Sequence, residues 1–290
     1  MRGDLRLDEP MSRHTSWRVG GVADAYLAPA DRDDLLAALH RLRAAGVPWL
    51  VLGGGSNLLV RDGGVRGAVI ATSALNRLDF LADGEVRAEA GVALGRLVEE
   101  AARRGLAGLE LLYGIPGTVG GALAMNAGVP GREFGDLVEA ALVTDGSVFE
   151  LWERPRLAFG YRSSALTAGW IAVEARLRLT PGEPAALAAI LRERLACRRR
   201  SQSVEGANAG SVFRNPAGAK AWELIEKAGL KGVLAGGAKI SDIHGNFIVN
   251  LGQARAADIL VLMERIQREV ERGSGIRLEP EVKIVGQDED

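Results

Sequence analysis

The pattern of apolar and polar positions predicts a chain of helices and short strands in mixed order. Helices are predicted over 31–45 and 94–104. Asp31 is a candidate N-cap for the first helix, and Gly46 and Gly105 stand where glycine commonly follows a helix end. These signals set the bounds of both helices.

Short apolar or alternating runs predict the strands between and after these helices. Asp145-Gly146 joins two such runs, which is typical of a tight hairpin. The predicted strands cover 48–52, 67–71, 85–90, 138–144, 147–153 and 169–179.

The pattern of the sequence changes near Thr180, from strand-like runs to a long helical run. A domain boundary is therefore expected within 180–200. Strict strand–helix alternation is lacking, which favours the α+β class over a doubly wound sheet. Beyond the boundary we predict helices over 181–200, 219–228 and 254–272, strands near 238–241 and 246–250, and a last strand over 276–286.

Composition and charge narrow the functional classes. The 290 residues carry a net charge of −1, so a basic face for nucleic acid is not expected. The arginines at 192, 194 and 198–200 follow or end a helix, where positive charge is favourable in itself. No apolar run is long enough for a membrane span, and no signal peptide is recognised.

A single cysteine, Cys197, excludes an internal disulfide and fits a reducing compartment. Together with only three histidines, it makes a metal site improbable. A cytoplasmic location is therefore the expectation.

A run of three glycines follows the strand predicted over 48–52. It matches neither the P-loop nor the dinucleotide fingerprint, since no lysine follows and Leu58 takes the last glycine position. Main-chain amides there suit a phosphate oxygen, although a plain tight turn is the alternative. The run and its polar neighbours are Gly53, Gly54, Gly55, Ser56 and Asn57.

A second glycine cluster spans 113–128. It contains too much glycine for a comfortable helix and is too apolar for a solvated loop. Such a segment lets a flat ligand, or another stretch of backbone, approach closely. The two clusters are predicted to form two walls of a site for a phosphate-bearing cofactor, with backbone packing as the alternative.

Three further residues are candidates for chemistry. Arg162 could bind a carboxylate or phosphate, or pair with a surface acid. Ser211 follows a glycine without a hydrolase elbow, and a simple turn residue would look the same. Glu281 precedes an apolar run, where a carboxylate is usually solvated.

Taken in chain order, the motifs resemble one family, the UDP-N-acetylenolpyruvoylglucosamine reductases of peptidoglycan synthesis (the MurB family). The resemblance covers nearly the whole chain, and the order of eight motifs makes it specific. The motifs are HTSWRVGG (14–21), LGGGSNLLV (52–60), GIPGTVGGALAMNAG (114–128), GYRSS (160–164), AGSVFRNP (209–216), LIEKAGLKG (224–232), KISDIHGNFIVN (239–250) and LEPEV (278–282).

The resemblance implies an α+β protein with an FAD-binding region of the vanillyl-alcohol-oxidase/PCMH type. That region would be 1–195, in two subdomains of roughly 1–72 and 73–195, with 278–290 as a candidate return segment. A substrate-binding domain would be 196–277. Besides the first glycine run, the implied FAD-binding residues are Gly114, Pro116, Gly117, Thr118, Gly120, Gly121, Asn126, Ala127 and Gly128.

The implied reaction uses NADPH to reduce FAD, and the reduced flavin then reduces UDP-N-acetylglucosamine-enolpyruvate to UDP-N-acetylmuramate. Ser211 would donate a proton to the carbon next to the substrate carboxylate. Arg162 would bind that carboxylate, and Glu281 would pair with the charge that develops there. A monomer is expected.

The chain departs from part of the family. No tyrosine-bearing loop follows the arginine motif, which is similar to the shorter type II subgroup. Other residues must then hold the substrate, and the candidates are Tyr161, Asn215, Lys239 and His244. Two alternatives are another FAD-dependent oxidoreductase of this scaffold, acting on small hydroxy acids or sugars, and a non-enzymatic nucleotide-binding module.

Overall fold

Two compact units, each assembled from separate stretches of chain, form the protein. The structure, a computed structural model, describes residues 1–166, 169–202 and 206–289, without the side chains of 199–202. The first unit comprises Met1–Arg6, Ala25–Gly54 and Gly67–Arg198, and the second comprises Leu7–Asp24, Gly55–Arg66 and Arg199–Asp290.

The elements of the described residues are numbered in chain order. The α-helices α1 to α7 are Arg32–Ala44, Leu94–Arg103, Val119–Met125, Arg154–Leu157, Pro184–Gln202, Ala221–Lys227 and Ala256–Ser274. The strands β1 to β18 are Asp4–Pro10, Val22–Ala28, Trp49–Leu52, Leu58–Val60, Val65–Ala71, Leu78–Phe80, Glu85–Glu89, Leu106–Ala107, Gly128–Val129, Arg132–Glu133, Val138–Thr144, Phe149–Glu153, Ile171–Arg178, Thr180–Pro181, Leu234–Ala235, Ala238–Ile240, Ile248–Asn250 and Lys283–Val285.

Most predicted elements are present with small shifts at their ends. Asp31 caps α1 by accepting a hydrogen bond from the Asp34 amide, as predicted. The hairpin prediction at Asp145-Gly146 is confirmed, since β11 and β12 pair in antiparallel fashion across it. The sequence pattern did not predict the two N-terminal strands, β1 and β2.

The larger sheet of the first unit has the strand order β12-β11-β13-β7-β6. All its neighbouring strands pair in antiparallel fashion. A continuous apolar core lies on it, and the core includes Leu97 of α2, Leu123 of α3 and Leu177 of β13. Burial of these side chains fixes both helices on the sheet.

Residues 119–125 form α3, although the glycine content of 113–128 indicated an unfavourable helix. Gly120 explains the difference. Its amide bonds to the Ala90 carbonyl at 2.9 Å, and a Cβ at this position would lie 2.9 Å from the Ala90 Cβ. The glycine that lowers helix propensity is therefore the residue that lets the helix pack this closely, and packing outweighs propensity.

A smaller sheet in the order β1-β2-β5-β3 carries α1. Strand β3 runs parallel to β5, and the core below α1 includes Leu35, Leu39 and Ile70. An ion-pair network attaches α1 to the other sheet: Arg32 donates to Glu89 at 2.7 Å and to Glu174 at 2.5 Å. Burial opposes the charge of Arg32, but the two carboxylates outweigh this effect and raise its pKa.

The second unit is built around α7, whose apolar face packs into a core with the antiparallel sheet β15-β16-β17. The strand predicted over 276–286 forms only at 283–285, where β18 pairs in parallel with β4. Pro280, which lacks an amide hydrogen, makes one isolated bridge to Phe213 instead. None of the described helices has the length and apolar character needed to cross a membrane.

The two units differ from the predicted domain ranges. Residues 7–24 and 55–66 group with the C-terminal part of the chain, and so do 278–290. The pairing of β18 with β4 explains the grouping of the last segment, because both strands lie in the second unit. The functional assignment of the ranges stays a prediction.

Candidate functional site

The two predicted glycine segments meet in the first unit. Gly53 and Gly54 follow β3 and lie against Gly117 and Thr118. A Cβ on Gly53 would lie 2.7 Å from Thr118 Oγ1, and a Cβ on Gly54 would lie 3.0 Å from Gly117 Cα. Side chains longer than hydrogen are therefore excluded where the segments touch.

A polar atom is buried at this contact. Thr118 Oγ1 is buried and has no hydrogen-bond partner among the described residues. Gly54 and Gly121 are exposed beside it, and a Cβ on Gly121 would meet only Thr118 Oγ1, at 3.9 Å. A bare main-chain surface with an unsatisfied hydroxyl fits a phosphate oxygen, which would accept the missing hydrogen bond.

The rest of the first glycine run belongs to the second unit and is explained by packing. Gly55 has a φ of +62°, and a Cβ there would lie 1.9 Å from the His14 carbonyl oxygen. The Asn57 amide donates to the Glu281 carbonyl at 3.1 Å, and Ser56 is half-buried. Backbone packing, the alternative considered for these glycines, therefore accounts for Gly55.

Packing also accounts for the end of the second segment. Asn126 is buried with a φ of +42°, and its amide group bonds to Glu133, Gly160 and Gly135. The amide of Ala127 continues the end of α3 by bonding to Ala122. A direct cofactor contact for these residues, and for Gly128, Gly114 and the exposed Pro116, stays a prediction.

Arg162 lies in a tight turn closed by two main-chain hydrogen bonds between Gly160 and Ser163. Its φ is +54°, a left-handed conformation that costs a non-glycine residue about 1–3 kcal/mol. The guanidinium donates to the Gly128 carbonyl at 2.9 Å and lies 5.0 Å over the ring of Tyr161. Such conformations persist mainly where surrounding contacts impose them, commonly at functional sites.

Ser211 and Glu281 are brought together in the second unit. The Glu281 amide donates to the carbonyl of Val212 at 2.8 Å, so the serine is one residue from this contact. Gly210, with a φ of +74°, turns the chain just before the serine. Arg162 belongs to the first unit, and its meeting with these two residues stays a prediction.

Sequence reasoning missed Asn246, which holds the serine segment. Its side chain accepts from the Phe213 amide at 2.9 Å and donates to the Phe213 carbonyl at 2.8 Å. Its main-chain carbonyl accepts from the Val212 amide at 2.9 Å. Asn246 is 3% exposed. The only sequence signal is an amide side chain placed directly before a buried apolar run.

The candidate substrate residues of the second unit already have partners. The Asn215 side chain accepts from the Ala221 amide at the start of α6, and Lys239 pairs with Asp242 at 2.6 Å. His244 packs edge-on against Phe247, with ring centroids 4.7 Å apart. Burial lowers the pKa of His244, which keeps its imidazole neutral at neutral pH.

Comparison with known proteins first defines the class. An FAD binding domain model matches residues 23–150. The fold resembles that of 6-hydroxy-D-nicotine oxidase from Arthrobacter nicotinovorans, with a TM-score of 0.50 and 21% identity, over 62% of this chain and 43% of that one. The fold is that of an α+β FAD-binding protein of the vanillyl-alcohol-oxidase/PCMH type, which confirms the predicted fold class.

Residues 202–285 match the model described as UDP-N-acetylenolpyruvoylglucosamine reductase, C-terminal domain. The reductase of Syntrophotalea carbinolica is 48% identical over 99% of this chain and 96% of its own, and that of Geobacter metallireducens is 50% identical with the same coverage. The crystal structure of the Thermus caldophilus reductase superposes with a TM-score of 0.84 and 40% identity, covering 98% of this chain and 99% of that one.

The chain therefore belongs to the UDP-N-acetylenolpyruvoylglucosamine reductase family. It is a flavin-dependent oxidoreductase with FAD as its cofactor, as the sequence predicted. This membership decides against the non-enzymatic module and against an oxidoreductase of hydroxy acids or sugars.

Proposed function

We propose that this chain reduces UDP-N-acetylglucosamine-enolpyruvate to UDP-N-acetylmuramate with NADPH, and that Arg162, Ser211 and Glu281 act on the substrate. The observation that carries the proposal is the match to reductases over 99% of the chain. The contact between the Ser211 and Glu281 segments supports the roles of these two residues.

The phosphates of FAD bind where the two glycine segments meet, at Gly53, Gly54, Gly117, Thr118 and Gly121. Their main chain is accessible without side chains, and the Thr118 hydroxyl supplies a hydrogen bond that it does not make within the described protein. When bound there, FAD would supply the redox chemistry that reduces the enolpyruvyl double bond at the expense of NADPH.

Ser211 donates the proton that completes the reduction. Hydride addition leaves negative charge on the carbon next to the substrate carboxylate, and a carbanionic carbon is basic enough to take a hydroxyl proton in direct contact. The Glu281 amide donates to the carbonyl of Val212, the residue that follows Ser211. From this position Glu281 orients the serine or shares its proton. The turn at Gly210 presents the hydroxyl.

Arg162 binds the substrate carboxylate, where negative charge grows during the reaction. A guanidinium forms a paired hydrogen bond with a carboxylate and keeps its charge at any relevant pH. The hydrogen bond to Gly128 fixes the arginine in its turn before substrate arrives, so little ordering remains to be done on binding. The exposed ring of Tyr161 lines the same turn.

The UDP diphosphate binds to the second unit through Asn215, Lys239 and His244. The Asn215 side chain uses its oxygen to cap α6, which leaves its N–H groups for a phosphate. Lys239 exchanges Asp242 for the diphosphate, and neutral His244 donates one hydrogen bond. This set replaces the tyrosine loop that the chain lacks.

Measurement of the two half-reactions of Ser211→Ala tests the catalytic assignment. We expect flavin reduction by NADPH to keep the wild-type rate, while reoxidation by the enolpyruvyl substrate slows by about 100-fold or more. Ser274→Ala, at the end of α7, serves as the control for loss of a hydroxyl. Equal slowing of both halves in Ser211→Ala would show that the serine is misassigned.

Substitution of Gly54 by valine tests the cofactor cradle. The valine side chain would clash with Gly117, so the purified protein should lose its yellow flavin colour while remaining folded. Gly95→Val, on α2, is the control because, apart from its chain neighbours and the backbone of its own helix, no described atom lies within 4 Å of its Cβ position. A Gly54→Val protein that retains stoichiometric FAD would overturn the cradle.

A monomeric state and a cytoplasmic location complete the proposal. Light scattering of the purified protein in the presence of FAD tests the first, and fractionation of cells tests the second. A dimer at micromolar concentration would contradict the proposed state.

A further inference from the structure

Two arginines on α5 lie side by side, and no acid of the described residues pairs with them. Arg194 and Arg198 are four residues apart, one helical turn, and both are half-buried. Neither forms a hydrogen bond or ion pair with any described residue, and Arg194 Nε is fully buried. Burial, with a further contribution from the charge of Arg194, lowers the pKa of Arg198.

This arrangement differs from the helical pairs elsewhere in the first unit. On α2, Arg96 stands at the same spacing from a carboxylate and donates to Glu100 at 2.9 Å. Like charges at this spacing destabilise a helix, and desolvation of the guanidinium groups adds to the cost. An anion held between the two arginines would relieve both costs.

The pair lies beside the second glycine segment. A Cβ on Gly114 would be 3.1 Å from Arg198 Cδ and 3.8 Å from Nη1, so the arginine side chain runs along the main chain at this glycine. Gly114 has a φ of +89°, a conformation that favours glycine in any case. The guanidinium group thus stands at the start of the segment that carries Gly117 and Thr118.

We propose that Arg194 and Arg198 bind a phosphoryl group of a bound dinucleotide at Gly114. Guanidinium groups bind phosphate oxygens in paired hydrogen bonds, and two of them match a dianion or a diphosphate. The group comes either from FAD or from NADPH. The inference deepens the proposed cofactor site and rests on the assignment of the neighbouring glycine segment to FAD.

The test compares Arg194→Met and Arg198→Met with Arg192→Met, an exposed arginine of the same helix. Methionine keeps the side-chain length and helix propensity but not the charge. Three quantities are measured on the full chain: the FAD dissociation constant from flavin fluorescence, the competition of inorganic pyrophosphate with FAD, and the ratio of flavin reduction rates with NADPH and NADH.

We expect Arg198→Met to weaken a phosphate contact by about 10- to 100-fold and Arg192→Met to change it less than about twofold. A raised FAD dissociation constant with reduced pyrophosphate competition identifies FAD as the source. A lower NADPH-to-NADH ratio at unchanged FAD affinity identifies NADPH. Either result supports the site, and values equal to those of Arg192→Met in all three measurements overturn it.

Arg198→Lys covers the case in which the methionine variant does not fold. Lysine keeps the charge but loses the planar fork, so it should retain part of the affinity. If Arg198→Lys and the double variant Arg194→Lys/Arg198→Lys both keep the wild-type affinity for the dinucleotide, this result would count against a paired guanidinium site. The outcome of the Gly54→Val experiment is independent of this test, because that experiment measures FAD retention by the glycine cradle and does not change either arginine.

Discussion

The Asn246→Ala substitution tests how the serine segment is held. The alanine removes two hydrogen bonds and leaves the amide and carbonyl of Phe213 without these partners, in a residue that is 1% exposed. Each unsatisfied buried group costs about 1–3 kcal/mol, and the two groups together give a loss of about 2–6 kcal/mol in the free energy of unfolding. The loss is measurable by urea denaturation of the holoprotein.

The same change should slow the second half-reaction. Phe213 is two residues from Ser211, and displacement of a reacting group by about 1 Å can reduce a rate about 100-fold. We expect flavin reduction by NADPH to stay at the wild-type rate, while transfer to the enolpyruvyl substrate, followed by stopped-flow absorbance, slows by about 10- to 100-fold.

Asn250→Ala is the matched control. Asn250 is also a buried asparagine of the second unit, and its side chain bonds to Trp17, Gly252 and Ala254. It should cost similar stability without affecting proton transfer. If Asn246→Ala loses the expected stability and still turns over like Asn250→Ala, the serine does not depend on this clamp, and the reasoning is refuted.

Three further outcomes follow from the structure. Burial lowers the pKa of His244 below 6.5, so the unfolded chain takes up the proton at a higher pH than the folded chain does. The free energy of unfolding is therefore constant above pH 6.5 and falls as the pH drops through the lowered pKa. His244→Gln should flatten this decline in urea unfolding between about pH 7.5 and about pH 5, and an unchanged slope would refute the burial. Asp62 accepts hydrogen bonds from the first two amides of α7, so Asp62→Ala should cost about 1–2 kcal/mol and Asp62→Asn less, as measured by thermal unfolding. Arg32→Met removes the cation shared by Glu89 and Glu174, of which Glu174 keeps Arg176 at 3.5 Å, and should cost about 2–4 kcal/mol. A loss like that of exposed Arg41→Met would mean that the shared pairing contributes nothing.

The sequence predicts elements whose signals are local. The cap at Asp31 and the turn at Asp145-Gly146 each depend on a few neighbouring residues, and both are confirmed. The helix at 119–125 could not be predicted in this way, because Gly120 gains from contact with Ala90, thirty residues away. The parallel pairing of β4 with β18 joins parts of the chain that no local pattern relates.

The candidate site shows the same limit. Two glycine clusters could be recognised as unusual, and their contact through Gly53 and Thr118 required the fold. Gly55 carries the same sequence signal, yet its neighbour is the His14 carbonyl, so glycine content alone does not separate ligand contact from backbone packing. Arg194 and Arg198 were interpretable as charges at a helix end. Only their partial burial, with no acid among the described residues bonded to them, distinguishes them.

The second unit combines residues that lie far apart in the sequence. The fully buried Trp17 donates a hydrogen bond to the Ile248 carbonyl. Strand β4 pairs with β18, which lies at residues 283–285. During synthesis, the early segments must stay unpaired until the ribosome has made residues 283–285. A fragment beginning at Arg199 would lack both the tryptophan and the strand, so expression of that fragment alone should give an unfolded product.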